Sequence, residues 1–404
     1  MSSITLKAQE PVYGGFVLHR SETEGITFIK GALPGELVEV SIEEKKRDYS
    51  VGSVVEVVEP STHRIEPPCA YFGTCGGCHL QFAAYPRQVE MKNNVLIDCL
   101  RRLGGIDAHL EPPLYGKPYG YRRRGQFKVS KDGHMGFYRE NTHDVVQIES
   151  CPLMSEPINS ALRSLRETDL KGVREIHLTD GDGVMALIKG VPFSEELADS
   201  LMDAGLSGVA FDDGTYRGEG PGYALLDLSG LKYSVSPWSF LQSNWELNQK
   251  MVAQLVEETG EMADHRLLDL YAGAGNFSLS LAIEARETVA VEENASAIAD
   301  GKRNVAANRI TGYRYLSGTA ETAKLKGGFD VLIVDPPRAG LSKESLQRVL
   351  DLSVPRLAYV SCNPSTLARD MKTLTEMYAI DSVRIADMFP QTYHVESIVI
   401  MTKK

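Results

Sequence analysis

From about residue 235 the chain alternates strand-like and helix-like segments, and this alternation constrains its fold more than any other feature. "RLLDLYAGAG" is a short apolar run ending in glycines, with a helix-compatible stretch behind it. Strand "ETVAVEEN" and helix "ASAIADGKRNVAANR" follow, and later strand "FDVLIVDPPR", helix "SKESLQRVLDL", strand "RLAYVSCNP" and helix "STLARDMKTLTEM". Strands separated by helices need crossover connections, so this order predicts an α/β fold with a parallel, doubly wound sheet over residues 235–404.

The upstream texture differs. Residues 1–60 alternate apolar and polar positions between Gly and Pro breaks, as in "GGFVLHR", "GITFIKGALPGELVEVSI" and "SVGSVVEVVEPS". Short strands at this spacing predict a five-stranded β-barrel of the oligonucleotide-binding (OB) type. Residues 61–234 mix a cysteine-rich stretch, the helix-like "YPRQVEMKNNVLIDCLRRLGG", strands such as "GQFKVSKDGHMGFYRE" and helices such as "FSEELADSLMDAG". They predict a central α+β domain. Three domains suit 404 residues, too many for one core.

With 43% hydrophobic and 24% charged residues the composition is that of an ordinary globular protein. No apolar run approaches the roughly 18 residues of a membrane span, and the N-terminus lacks a signal-peptide core. A cytoplasmic location with no membrane partner is expected. Structural disulfides are then not expected, so the six cysteines should be free, catalytic or metal-bound. A net charge of −11 opposes non-specific nucleic-acid binding. Locally, however, "YGKPYGYRRRGQFK" holds five basic residues, four aromatics and no acid, a composition suited to phosphates and unstacked bases. The alternative for that segment is a solvated strand edge.

"LLDLYAGAGNFSLSLA" puts Asp269, Gly273 and Gly275 at a strand-to-helix turn, where such folds bind cofactors. A dinucleotide fingerprint would want glycine at 278, and Ser278 stands there. Glu292 ends the next strand, where a carboxylate can bind a ribose diol. This pattern points to S-adenosylmethionine rather than a nicotinamide. Asp335-Pro336-Pro337-Arg338 ends another strand. In enzymes that methylate exocyclic amines an aromatic residue follows Asp-Pro-Pro, and Arg338 argues against that target.

Cys362 follows the apolar run "LAYV" and precedes a turn-forming Asn-Pro. Carbon 5 of uracil cannot attack a methyl sulfonium unaided. A thiolate adding to carbon 6 makes carbon 5 an enolate carbon, and a base must later remove its proton. Glu396, which interrupts an apolar final strand, and His394 are candidates for that base. A buried structural cysteine and an edge-exposed carboxylate are the bland alternatives. Four more cysteines form a set: Cys69, Cys75 and Cys78 at C-x5-C-x2-C spacing, and Cys151 in "IESCPLM". Zinc and an iron–sulfur cluster are both chemically possible there. Cys99 reads as core.

Together "SFLQSNWELNQ", "LLDLYAGAGNFSL", "FDVLIVDPPRAGL", "LAYVSCNPSTLARD" and "FPQTYHVE" resemble the ordered motifs of the RNA uracil-5-methyltransferases that use S-adenosylmethionine. The N-terminal module resembles the TRAM domain many of them carry. The resemblance implies a Rossmann-like methyltransferase domain, Cys362 as nucleophile and Glu396 as base. It implies cofactor contacts at Gln242, Tyr271, Gly273, Asn276 and Glu292, with Asp335 bordering cofactor and base pockets. It implies a [4Fe–4S] cluster on Cys69, Cys75, Cys78 and Cys151. Thr319 departs from the family, which often has an acid there. RNA is the expected partner, ribosomal before transfer RNA, acted on by a monomer. A cytosine-5-methyltransferase fits less well, and a non-catalytic RNA-binding protein would not need Cys362 and Glu396 intact.

Overall fold

A computed structural model describes residues 3–404; the first two residues of the expected N-terminal module lie outside it. That module is one sheet of six strands: β1 (Ser3–Lys7), β2 (Glu10–Val12), β3 (Phe16–Ser21), β4 (Gly25–Lys30), β5 (Leu37–Lys45) and β6 (Ser50–Glu59), in the order β1-β5-β6-β4-β3-β2. Five strands were expected. The sixth, β2, has three residues, and its Pro11 lacks the N–H of an ordinary strand residue, which suits a sheet edge. The module's buried residues, among them Leu6, Ile29, Val38 and Val40, pack with Leu80, Phe82 and Met91 from the following segment. Buried Glu36 anchors the junction: it accepts from Arg64 at 2.6 and 2.7 Å and from the Leu33 and Ser61 amides.

Helix α1 (Tyr85–Cys99) continues into one π turn and stops at Gly105, which takes φ +67°. Although it falls within residues 61–234, its Val89, Leu96 and Leu100 belong to the core of the C-terminal sheet. The central sheet runs β13-β12-β11-β10-β7-β8-β9, built from β7 (Arg124–Val129), β8 (Met135–Tyr138), β9 (Val145–Gln147), β10 (Glu175–Asp180), β11 (Val184–Lys189), β12 (Gly208–Phe211) and β13 (Tyr216–Gly218). Helices α2 (Glu156–Ser164) and α3 (Glu195–Asp203) pack on it. Only β11 and β12 pair in parallel, and α3 is their crossover. The hairpin β14 (Ala224–Leu228) and β15 (Leu231–Val235) ends at the expected boundary, yet its Leu226, Leu228 and Tyr233 share a core with the C-terminal sheet.

That sheet has the order β18-β17-β16-β19-β20-β22-β21. Its strands are β16 (Arg266–Leu270), β17 (Glu287–Glu292), β18 (Tyr313–Ser317), β19 (Val331–Val334), β20 (Arg356–Ser361), β21 (Tyr378–Ala386) and β22 (Glu396–Lys403). The helices are α4 (Trp245–Thr259), α5 (Ser278–Leu281), α6 (Ala295–Ala307), α7 (Lys343–Leu352) and α8 (Pro364–Leu374). Leucines of α1 and α8 cover one face, and Leu247, Met251 and Leu255 of α4 the other. Burial on both faces explains all-apolar runs such as "VLIV". The sheet is not wholly parallel, as had been expected: β22 pairs antiparallel with both β20 and β21. No crossover helix separates β21 from β22, so the chain turns straight back and slots between β21 and β20. The helix expected after β16 shrinks to one turn, because Tyr271, Gly273 and Gly275 hold positive φ through the preceding loop.

Candidate active site

Strands β19, β20 and β22 lie side by side, and each brings one of the expected site residues to the same sheet edge. Ser361 of β20 is in register with Ser397 of β22. One position further toward the edge stand Cys362 on one strand and Glu396 on the other. Asp335 follows Val334, the last residue of β19, whose register partner in β20 is Tyr359. The Asn-Pro after the thiol has a structural purpose. Asn363 caps α8 by accepting from the Ser365 amide at 3.0 Å, Pro364 begins the helix, and the Asn363 side-chain Nδ2 donates to the Arg338 carbonyl at 3.1 Å. The Asp335–Arg338 loop is thereby tied to the Cys362 turn.

The cluster is acidic and poorly solvated. Burial pushes the Cys362 thiol up to about 12, and Glu396 and Asp335 push the same way while Arg338 opposes them. Burial, then Asp335, holds Glu396 well above the usual carboxylate range. Burial alone raises Asp335 to about 7. Asp269 rises to about 8, first by burial and then by the charges of Asp335 and Glu292, and its buried Oδ2 has no partner among the described residues. His394 is pushed down to about 3, mainly by burial, which leaves it neutral. The loop bearing it is clamped by α1: buried Lys92 meets buried Asp387 at 2.6 Å, and Gln88 donates to the Gln391 amide oxygen at 2.9 Å.

A cavity of about 700 Å³ opens at the carboxyl ends of the parallel strands. Of the expected cofactor residues, Tyr271 and Glu292 line it. Tyr271 carries φ +67°, a strained backbone for a non-glycine residue, and its hydroxyl bonds the Ser345 hydroxyl at 2.8 Å. Glu292 accepts from the Gly273 and Asn294 amides, both at 2.8 Å, so Gly273 braces the carboxylate from outside the lining. Gln242, Asn276 and Asp335 lie outside the lining too. Asn276 is engaged in a reciprocal amide pair with buried Asn248, at 2.7 and 2.9 Å. Gln242 is buried just before α4, whose Asn244 donates to the Met388 carbonyl in the loop leading to Glu396.

Other residues here escaped the sequence reading. Glu321 lines the cavity with Thr319 and is held near 2 by hydrogen bonds from Ser345 and Ser342. An acid two places after Thr319 was the available signal. Phe240, two residues before Gln242, is 72% exposed. Tyr13, from the N-terminal module, meets Tyr393 edge-on with ring centroids 5.9 Å apart.

The basic segment is a correction. Arg124 is buried, donating to Thr179 Oγ1 at 2.8 Å and to the Ser239 carbonyl, so it supports the fold rather than facing solvent. Arg123 stands 3.7 Å from Asp180. Arg124 therefore forms no part of an open phosphate track, whereas the Arg123 side chain stays 41% exposed.

Cys69, Cys75, Cys78 and Cys151 line one cavity of about 80 Å³. None is in a disulfide. Burial pushes the Cys78 thiol up to about 12, and the other three cysteines add to the effect. Gly76 is needed for the tight turn: a Cβ there would lie 3.1 Å from the Glu140 backbone. A single zinc ion would draw its thiolates to roughly 4 Å of one another, and among the described residues no three Cys, His, Asp or Glu are grouped for one metal ion. What the four thiols share is the lining of that one cavity, and thiols are the donor type that binds both zinc and iron–sulfur groups. Cys99 is core, as expected, 3% exposed against α8.

A doubly wound sheet with an antiparallel penultimate position, and a cavity at its carboxyl edge, defines the Rossmann-like methyltransferase class. The comparisons narrow it. The family description tRNA (Uracil-5-)-methyltransferase matches residues 226–404. The chain is 36% identical to the 23S rRNA (uracil(1939)-C(5))-methyltransferase RlmD of Aeromonas salmonicida, over 92% of this chain and 90% of that one. It is 32% identical to an uncharacterized RNA methyltransferase of Gloeobacter violaceus, over 98% and 95%. Its structure resembles the tRNA (uracil-54, C5)-methyltransferase of Pyrococcus abyssi in complex with S-adenosyl-L-homocysteine, with a TM-score of 0.77, 26% identity and 99% of both chains covered. The chain belongs to the RNA uracil-5-methyltransferases, enzymes that take their methyl group from S-adenosylmethionine.

Proposed function

We propose that the chain methylates carbon 5 of one uridine in 23S ribosomal RNA, equivalent to the uracil 1939 named for its relatives, through covalent addition of Cys362. The observation that carries the mechanism is the register of β20 and β22, with Cys362 and Glu396 on neighbouring strands at one edge. Cys362 bonds to carbon 6 of the target uracil, and the ring's electrons move to make carbon 5 nucleophilic. The thiol proton must leave first. Asp335, which burial raises to about 7, is the acceptor we assign. S-adenosylmethionine, when bound, supplies the electrophilic methyl group. Glu396 then takes the proton from carbon 5, and the carbon 6–sulfur bond breaks to release Cys362. The raised proton affinity of Glu396 makes it the stronger base once ionised.

Tyr271, Gly273 and Glu292 are assigned to the cofactor, with Gln242 and Asp335 at its border with the uracil. Asn276 is assigned an indirect part, since its amide already pairs with Asn248. Residues 3–60 are assigned to RNA binding as a TRAM-type module, with exposed Phe240 as a stacking surface for an unpaired base. We assign a [4Fe–4S] cluster to Cys69, Cys75, Cys78 and Cys151. When bound, it supplies a covalent clamp between the segment after the β-module and the central sheet. Mass spectrometry of RNA from a deletion strain tests the substrate. Loss of one 5-methyluridine from 23S RNA, restored by the wild-type gene, is expected. Loss of a 5-methyluridine from transfer RNA alone would replace this reading with a transfer-RNA substrate.

A further inference from the structure

Arg122 is a cation without an anion. Among the described residues its guanidinium forms no ion pair and donates no hydrogen bond, and its Nε is sealed from solvent without a partner. Its neighbours Arg123 and Arg124 are both engaged. A guanidinium does not lose its proton, so half-buried Arg122 carries a fixed positive charge beside whatever the cavity holds. What Arg122 does face is the four-cysteine cavity, whose lining holds four thiols, this arginine and no carboxylate. The backbone holds it there: the Arg122 amide donates to the Leu153 carbonyl at 2.9 Å, and its carbonyl accepts from the Ser155 amide at 2.9 Å. Arg122 cannot drift from the Cys151 loop without breaking both bonds.

We propose that Arg122 is the counter-charge of the iron–sulfur cluster held by Cys69, Cys75, Cys78 and Cys151, and that it sets the cluster's retention and reduction potential; this rests on the cluster assignment made above. A cubane with four thiolates is anionic, and adding an electron makes it more so. A neighbouring fixed cation therefore favours the reduced form and raises the potential.

The test uses anaerobically purified full-length wild type, Arg122→Gln and Arg122→Lys. Iron content, a mediated redox titration and S-adenosylhomocysteine binding are measured for each. Wild type should hold about four irons. Arg122→Gln should lower the reduction equilibrium about tenfold, about 59 mV for one electron. Arg122→Lys should recover most of that, and cofactor binding should stay at the wild-type level in both. If Arg122→Gln sheds its iron, Arg122→Lys decides: retained iron at a near wild-type potential supports the proposal, and equal loss from both variants overturns it. Full iron and an unchanged potential in Arg122→Gln would also overturn it, with the cluster assignment left standing. One zinc and no iron in wild type would remove that assignment, and the proposal with it.

Discussion

Cys78 and Cys362 are both thiols raised to about 12, and in both the largest cause is burial. Their neighbours differ in kind. Around Cys78 the other acidic groups are three more thiols, which would repel one another when ionised. Around Cys362 they are the carboxyls of Glu396 and Asp335, with Arg338 opposing, so protons can pass between unlike groups. The same burial acts in both places, and the neighbouring groups are what suit Cys78 to the ligand role and Cys362 to the nucleophile role proposed for them.

The largest effect expected from separating the two sites is at the nucleophile. Cys362→Ala should lower methyl transfer by at least about 10⁴-fold, because no carbanion forms at carbon 5 without addition at carbon 6. Iron content and S-adenosylhomocysteine binding should not change. Should the iron fall as well, the two thiol sites are not independent. Cys151→Ser should do the reverse, losing iron and then solubility or RNA binding before cofactor affinity. Iron analysis and calorimetric titration of one preparation would check the order.

A smaller effect concerns protons. Asp335 sits near 7, so the single-turnover rate should rise with pH through an apparent pKa near 7, a value belonging to the coupled carboxyls as a group. Asp335→Asn should slow the reaction and abolish or displace that limb. A limb unchanged in the variant would assign the titration elsewhere.

The least effect is on stability. Asp269 is raised from 3.8 to about 8, so the folded state binds its proton more tightly than the unfolded chain does. The stability this gives is fully present below about pH 4 and is lost as pH rises toward 8. Asp269→Asn keeps the shape without the charge. It should melt about 2–4 °C above wild type at pH 8.5, with little difference at pH 4, which paired calorimetric scans would show. A variant less stable at both pH values would mean that the buried carboxylate is held by favourable contacts.

Much of this was legible in the chain. The strand–helix alternation after residue 235 predicted the sheet because long crossovers leave a periodic trace. Cys362 stood out because a thiol ending an apolar strand is chemically conspicuous. The parts that were not legible depend on distant partners. Whether β22 runs with or against β20 leaves no mark on its apolar run. That α1 covers the C-terminal sheet follows from which face its Leu96 and Leu100 find, not from where the helix sits in sequence. Arg124 looked like its neighbours, and only Thr179 and Ser239, far along the chain, make it a buried strut. Asn276 was expected at the cofactor, and its pairing with Asn248, 28 residues away in sequence, leaves no local trace.

The central claim is that Cys362 and Glu396 act on one uracil at different stages, and Glu396→Gln tests it most directly. With 23S RNA and S-adenosylmethionine, this variant should still add to carbon 6 and accept the methyl group. The carbon 5 proton then stays, so elimination cannot follow, and a protein–RNA adduct should survive a denaturing gel. Mass spectrometry of its nuclease-trimmed peptide should place uracil on Cys362 with one extra methyl group. Normal turnover by Glu396→Gln, or an adduct that carries no methyl group, would contradict the assignment.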